Sequence, residues 1–237
     1  MNGFDVAVMT YLNHFSRHSL PIDSLICFIS DNSFLKGGVL AVIIWWLLFQ
    51  NDERDPHNRE YVISIFLSCF VTVVLARVLA LTLPFRVRPL HEEALGFLLP
   101  YGMSPTCLFD WSSFPSDHAA LFFALSAGLL FMSRKVGTFA LLYTALFICF
   151  PRVYLGIHYP TDIIAGALIG TTVTLASNAY FINSNRLQSI ARWSRRKPNL
   201  FFPLVFLLTY QLADLGGTSR AIASMGYTML KAIYVSI

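Results

Sequence analysis

Long apolar runs separated by short polar clusters set the strongest limit on what this chain can fold into. The runs cover residues 34–50, about 60–83, 115–133, 136–151, 160–182 and 199–213. Each is close to the length a helix needs to cross a bilayer. Only 13% of the 237 residues are charged, where a soluble domain carries about a quarter. So few charges do not clothe a water-facing surface. In lipid every backbone N–H and C=O must be paired within its own segment, which favours helices. The expected fold is all-α: a polytopic membrane helical bundle of about six transmembrane helices, forming one domain over residues 1–237.

Two segments before the first firm run are less decided. Phe4, Ala7, Val8, Tyr11, Leu12 and Phe15 recur at helical spacing within residues 3–18. They predict an amphipathic N-terminal helix lying at the membrane interface. Residues 20–31 form a short apolar stretch, and whether residues 4–31 span stays open. The tail 217–237 also reads as amphipathic. The N-terminus lacks the pattern of a signal peptide. Cys27, Cys69, Cys107 and Cys149 lie far apart, so neither a disulfide framework nor a structural metal is expected. The net charge of +4 is read as loop orientation and not as nucleic-acid binding.

Basic residues orient the bundle. Arg134 and Lys135, the loop 51–59 with Arg54 and Arg59, and the cluster Arg186, Arg192, Arg195, Arg196 and Lys197 fall on one side if the intervening runs all cross. The positive-inside rule makes that side cytoplasmic. The long 84–114 loop and the 152–159 joint then face the periplasm or cell exterior. That outer face collects Arg86, Arg88, Ser116, Asp117, His118, Arg152, His158 and Asp162. They are distant in sequence, and the crossing count alone returns them to one side.

Those residue types suit phosphoryl transfer. Guanidinium forks bind phosphate oxygens in pairs, and helix N-termini offer free N–H groups. Pro115 and Pro160 are placed as first-turn prolines, so two helices are expected to start at this face. Two histidines divide the covalent work: one attacks phosphorus and the other protonates the departing oxygen. An aspartate beside the attacking histidine would hold its tautomer. The chain has no dense carboxylate cluster of the kind that holds magnesium, so the chemistry is expected to need neither metal nor cofactor. Taken singly, each of these residues has an ordinary structural explanation. A helix-start histidine packs, a first-turn acid complements the helix dipole, and an interfacial arginine snorkels.

Two motifs carry a resemblance. Pro115-Ser116-Asp117-His118, and Arg152 to Asp162 in PRVYLGIHYPTD, resemble the second and third signatures of the type-2 phosphatidic acid phosphatase superfamily. These read Pro-Ser-Gly-His, and Ser-Arg, five residues, His, three residues, Asp. Arg88-Pro89 resembles the end of its first signature, Lys, six residues, Arg-Pro. The resemblance implies His158 as the nucleophile that forms a phosphohistidine, Asp162 as its partner and His118 as general acid. Arg88, Arg152 and Ser116 would hold phosphate oxygens.

Three departures stand out. Leu81 occupies the position of the first-signature lysine, with Arg77 or Arg86 as possible replacements. Asp117 replaces glycine, a variant associated with bacterial undecaprenyl-pyrophosphate phosphatases of this superfamily. Its side chain is expected to turn from the phosphate while its backbone N–H serves. Pro151 replaces serine. The expected activity is hydrolysis of a lipid phosphate or pyrophosphate, with undecaprenyl pyrophosphate first. Phosphatidic acid, phosphatidylglycerol phosphate and lipid A phosphates stay open as substrates, as does transfer of the phosphoryl group to another lipid. The rival of another class is a transporter or non-catalytic protein that binds an anionic lipid. No role is expected for His14, His18 or His57, and His91 would at most touch substrate.

Overall fold

The structure is a computed structural model that describes residues 2–51, 58–181 and 184–214. Arg54, His57 and the 217–237 tail lie outside the described residues, as does the side chain of Arg186. Every regular element among the described residues is helical. The order is α1 (Gly3–Asn13), α2 (Leu20–Asp31), α3 (Val39–Asn51), α4 (Asn58–Thr82), α5 (Asp117–Met132), α6 (Arg134–Tyr143), α7 (Phe150–Tyr154), α8 (Pro160–Phe181), α9 (Asn185–Arg196) and α10 (Pro198–Ala213).

Three of these stretches are long and apolar enough to cross a membrane: Asn58–Thr82, Arg134–Tyr154 and Pro160–Tyr180. A fourth crossing exists if α2 and Phe34–Phe49, bent by 63° at a short break, act as one broken span. Helices α5 and α10 are apolar but only 16 residues each. At 1.5 Å per residue each covers about 24 Å, short of a typical hydrocarbon core of about 30 Å. The sequence expectation of about six spans therefore stands only in its coarser form, a helical membrane bundle. Apolar run length overstates helix length here, because Ser116 caps one end of α5 and Ser133 the other.

Local chemistry explains most boundaries. Pro84 closes α4, since the residue before proline avoids the helical region. The Ser116 hydroxyl accepts from the Ala119 N–H at 3.4 Å and opens α5. Helices α6 and α7 form one span joined by a π turn, Thr144–Cys149. It ends two positions before Pro151, which has no N–H to continue a regular ladder.

The bundle is built around α4, α5 and α8. Leu121, Phe122, Leu125 and Leu129 of α5 pack with Val62, Ile65 and Cys69 of α4 in one buried cluster. Helix α8 reaches the backbone of α5 through glycine. A Cβ on Gly170 would stand 2.1 Å from the Ala120 carbonyl oxygen, and one on Gly166 would stand 2.6 Å from that of Ser116. This close approach sets the starts of α5 and α8 side by side. Thr174 then donates to the Ala124 carbonyl at 3.0 Å.

The two ends of the bundle differ in charge. At the start of α4, Glu60 pairs with Arg195, and Arg59 donates to the Ser194 carbonyl at 3.0 Å. The α9 basic cluster therefore lies at that end. Arg77 is near the other end of the 25-residue α4, which is about 37 Å long. Helix α1 buries Asp5 and Met9. Of its predicted apolar stripe, Phe4, Tyr11 and Phe15 stay exposed, whereas Val8 and Leu12 pack partly buried against Met9, Val153 and Tyr159.

Gly170→Val should lower stability by about 1–3 kcal/mol, the usual range for overpacking. Thermal melting of the purified protein in detergent checks this.

Candidate active site

The end of α4, the start of α5, α7, the turn before α8 and the 83–116 loop enclose a cleft of about 300 Å³. Its lining includes Arg77, Arg88, Trp111, Asp117, His118, Arg152 and His158. Of the sequence-predicted residues, five thus share the cleft with Arg77. Ser116, Arg86 and Asp162 are placed behind it.

His158 is 4% exposed. Its Nδ1 lies 2.8 Å from the Ser113 carbonyl oxygen. A carbonyl only accepts, so Nδ1 carries the hydrogen and Nε2 keeps its lone pair. The nearest oxygen of Asp162 is 3.7 Å from Nδ1. Burial lowers the His158 pKa from its ordinary value, opposed by the nearby Asp162 charge. The Ser113 carbonyl, which no motif names, is the closest orienting group.

Asp162 is fully buried and well satisfied. It accepts from Arg86 Nη1 at 2.5 Å, the Ser113 hydroxyl at 2.5 Å and the Tyr159 N–H at 2.8 Å. Its own carbonyl accepts from the Ser116 N–H at 3.2 Å, joining α8 to the start of α5. Arg86 is held on the far side of Asp162. It donates to Thr161 at 2.9 Å and to Asp5 at 2.6 Å, and its guanidinium lies 4.2 Å from the Tyr159 ring centre. Asp5 also accepts from the Thr161 N–H at 3.1 Å and the Thr161 hydroxyl at 2.6 Å. The sequence offered no signal for Asp5, an acid within an amphipathic helix whose partners lie more than 80 positions away or further.

The remaining cations differ in how far they are committed. Arg77 donates to Asp117 at 2.5 Å and covers Trp111 at 4.7 Å. Asp117 thus turns toward α4, and its charge is met there. Arg88, 6% exposed, is braced by the carbonyls of Trp111, Ile157 and Ser112 at 3.0, 2.7 and 3.1 Å. Its Nη1 lies 3.5 Å from His158 Nε2. A guanidinium has five N–H donors, so two remain for an anion. Burial lowers the Arg88 pKa, partly offset by Asp162. Arg152 is 5% exposed, and its Nε is buried with no partner. Its side chain makes no hydrogen bond to the described residues. A buried guanidinium without an acceptor is costly, and an anion in the cleft would satisfy it.

Ser116 is fully buried and spends its hydroxyl on capping α5. Leu81, at the first-signature lysine position, is 78% exposed and does not line the cleft. His14 and His18 lie elsewhere, beside a surface hollow at the end of α1. His91 bonds the Cys107 carbonyl at 2.8 Å.

Comparison with known proteins gives the family. The PAP2 superfamily model matches residues 59–186, more than half of the chain. The chain is similar to undecaprenyl-diphosphatase BcrC of Bacillus subtilis, with 27% identity over 158 residues, 67% of this chain and 74% of the relative. It is 29% identical over 177 residues to an undecaprenyl-diphosphatase of Sulfolobus acidocaldarius, covering 74% and 77%. It is 34% identical over 144 residues to a lipid A 1-phosphatase of Rhizobium johnstonii, covering 58% and 57%. No solved structure matches significantly. The chain belongs to the PAP2 superfamily and is a membrane phosphatase.

Asp5→Ala deletes four hydrogen bonds, from Asn2, Arg86 and twice from Thr161, and leaves Arg86 one carboxylate. Loss of about 1–3 kcal/mol is expected, with kcat falling more than KM changes. Thermal melting and steady-state phosphate release check the two parts.

Proposed function

We propose that this protein hydrolyses a polyprenyl diphosphate, undecaprenyl diphosphate first, at the outer face of a bacterial plasma membrane. The observation that carries the reading is Arg152, buried beside His158 and His118 in one cleft with no side-chain hydrogen bond to the described residues. The names of the relatives from Bacillus subtilis and Sulfolobus acidocaldarius supply the lipid. The outward orientation rests on charge bias, since the basic cluster and the cleft occupy opposite ends of α4. The reading takes residues 1–237 as one domain, with about six crossings once the two short apolar helices are included.

His158 Nε2 attacks the terminal phosphorus as the P–O bond to the bridging oxygen breaks. His118 protonates that oxygen, and the lipid monophosphate leaves. Water then attacks the phosphohistidine, His118 takes its proton, and inorganic phosphate forms. The Ser113 carbonyl holds the attacking tautomer, and Asp162 stabilises the imidazolium from behind. Arg88 and Arg152 carry the phosphoryl charge, with the Asp117 backbone N–H at the start of α5. The cleft's one carboxylate, Asp117, is already paired with Arg77, so no step is routed through a metal.

Phosphate release should be measured with purified protein in detergent and EDTA, across lipid diphosphates and monophosphates. Undecaprenyl diphosphate should be preferred, and His158→Ala should abolish turnover. Preference for lipid A would move the substrate assignment to that of the Rhizobium relative. Survival of activity in His158→Ala would overturn the nucleophile assignment, and a strict divalent requirement the mechanism.

The acid limb of the pH profile follows His158, which must be neutral to attack. Burial places that limb below the ordinary histidine value of about 6.5. Asp162 opposes that shift. Asp162→Asn should therefore move the limb to lower pH while reducing kcat. Residual rates measured across the acid range test the sign.

A further inference from the structure

Apolar grooves open on the sides of the bundle, and one of them continues the cleft along α4. It holds about 280 Å³ between α4, α5 and α10. Phe66, Phe70 and Val73 line it from α4, Leu121 from α5, and Leu208 and Leu212 from α10. Its edges face outward: Phe70 is 69% exposed and Leu208 38%. On that side of a membrane bundle the medium is hydrocarbon.

Helical geometry ties the groove to the cleft. Phe66, Phe70, Val73, Arg77 and Ala80 recur at every third or fourth position, so they share one stripe of α4 less than about 100° wide. The first three line the groove, and the last two line the cleft. Val73 stands one turn from Arg77, about 6 Å along the axis. Helix α5 repeats the pattern. His118 lines the cleft, and Leu121, one turn further on, lines the groove. Two helices therefore lead from the phosphate site into hydrocarbon on the same faces. Helix α10 joins the core cluster through Phe201 and Val205, and its next turn supplies Leu208.

The neighbouring grooves lack this continuity. One between α3 and α10, about 480 Å³, is lined by Val42, Trp45 and Phe206 and by no element of the cleft. Another, beside α1 and about 290 Å³, takes its α5 wall from Phe123. Phe123 lies about 160° around the helix from Leu121, so that groove faces away from the cleft.

We propose that the α4–α5–α10 groove is the tail subsite of this enzyme, receiving the isoprenoid chain of a substrate whose diphosphate sits in the cleft. The assignment rests on the lipid diphosphatase reading above. The chain leaves the cleft past Ala80 and Arg77, crosses one helical turn and lies against Val73 and Phe70. Contacts there are remote from phosphorus, and they hold the diphosphate in place for attack. The groove thereby sets a preference for long chains.

The test compares undecaprenyl diphosphate with isopentenyl diphosphate, whose five carbons are too few to fill the groove, using full-length protein in detergent. Leu208→Trp fills the groove from its lipid-facing edge. It should lower kcat/KM about tenfold for the long substrate and leave the short one within about twofold, the scale of lost apolar contacts. Val42→Trp fills the α3–α10 groove and should leave the ratio of the two unchanged. An unchanged ratio in folded Leu208→Trp, judged by melting, would overturn the proposal. A second measurement needs neither turnover nor that variant. A farnesyl diphosphate analogue with a benzophenone at its far end is irradiated with His158→Ala protein, and the cross-linked peptides are mapped by mass spectrometry. Label on residues 66–73 or 208–212 that undecaprenyl diphosphate competes away supports the subsite. Label on other lipid-facing helices, or label that is not competed, would sink it. If wild type releases phosphate from neither diphosphate, the hydrolase reading alone fails, and the cross-link map still decides the groove.

Discussion

Asp162 is the buried charge on which the site's geometry depends. A carboxylate sealed from water must be met by donors, and here they come from three places in the chain. Arg86 arrives from the 83–116 loop, Ser113 from the end of that loop, and the Tyr159 N–H from the approach to α8. Arg86 brings Asp5, and with it the N-terminal helix. Because Ser113 is tied to Asp162 by its hydroxyl, its carbonyl is left pointing at His158 Nδ1. The aspartate thus orients the histidine through a serine, at one remove from direct contact.

This network stands on the glycine contact between α5 and α8. Gly166 and Gly170 let two backbones approach as far as sterics permit. Two helix starts, those of Ser116 and Pro160, then fall side by side. The Ser116 N–H reaches the Asp162 carbonyl as a direct result. Side chains larger than hydrogen at those positions would separate His118 from His158 without touching either.

The charge distribution follows the same logic of commitment. Arginines already paired or braced hold the walls of the cleft, and those left unpaired are available to an anion. Asp117 shows why residue type alone does not predict a role. A carboxylate in a phosphate cleft would repel substrate, but its pairing with Arg77 removes that field from the centre. The same ion pair withdraws Arg77 from the pool of phosphate ligands. Arg86 is withdrawn by Asp5, an acid 81 positions earlier. These outcomes were not legible beforehand, because each depends on a partner from a remote segment.

The apolar runs and their proline and serine punctuation determined, by themselves, a helical membrane bundle with helices starting at Pro160 and just after Pro115. Motif spacing singled out His118, His158, Arg88 and Arg152, which share one cleft in the structure. Run length did not determine helix length, so α5 is shorter than its apolar stretch and the α2–α3 segment is a broken span. Only the tertiary structure decided which atoms meet. It chose the Ser113 carbonyl as the closest partner of His158, recruited Asp5, and left the Arg152 side chain without a hydrogen bond to the described residues. The reason is physical: periodicity and hydropathy are properties of single segments, whereas pairing a buried charge is a property of several segments packed at once.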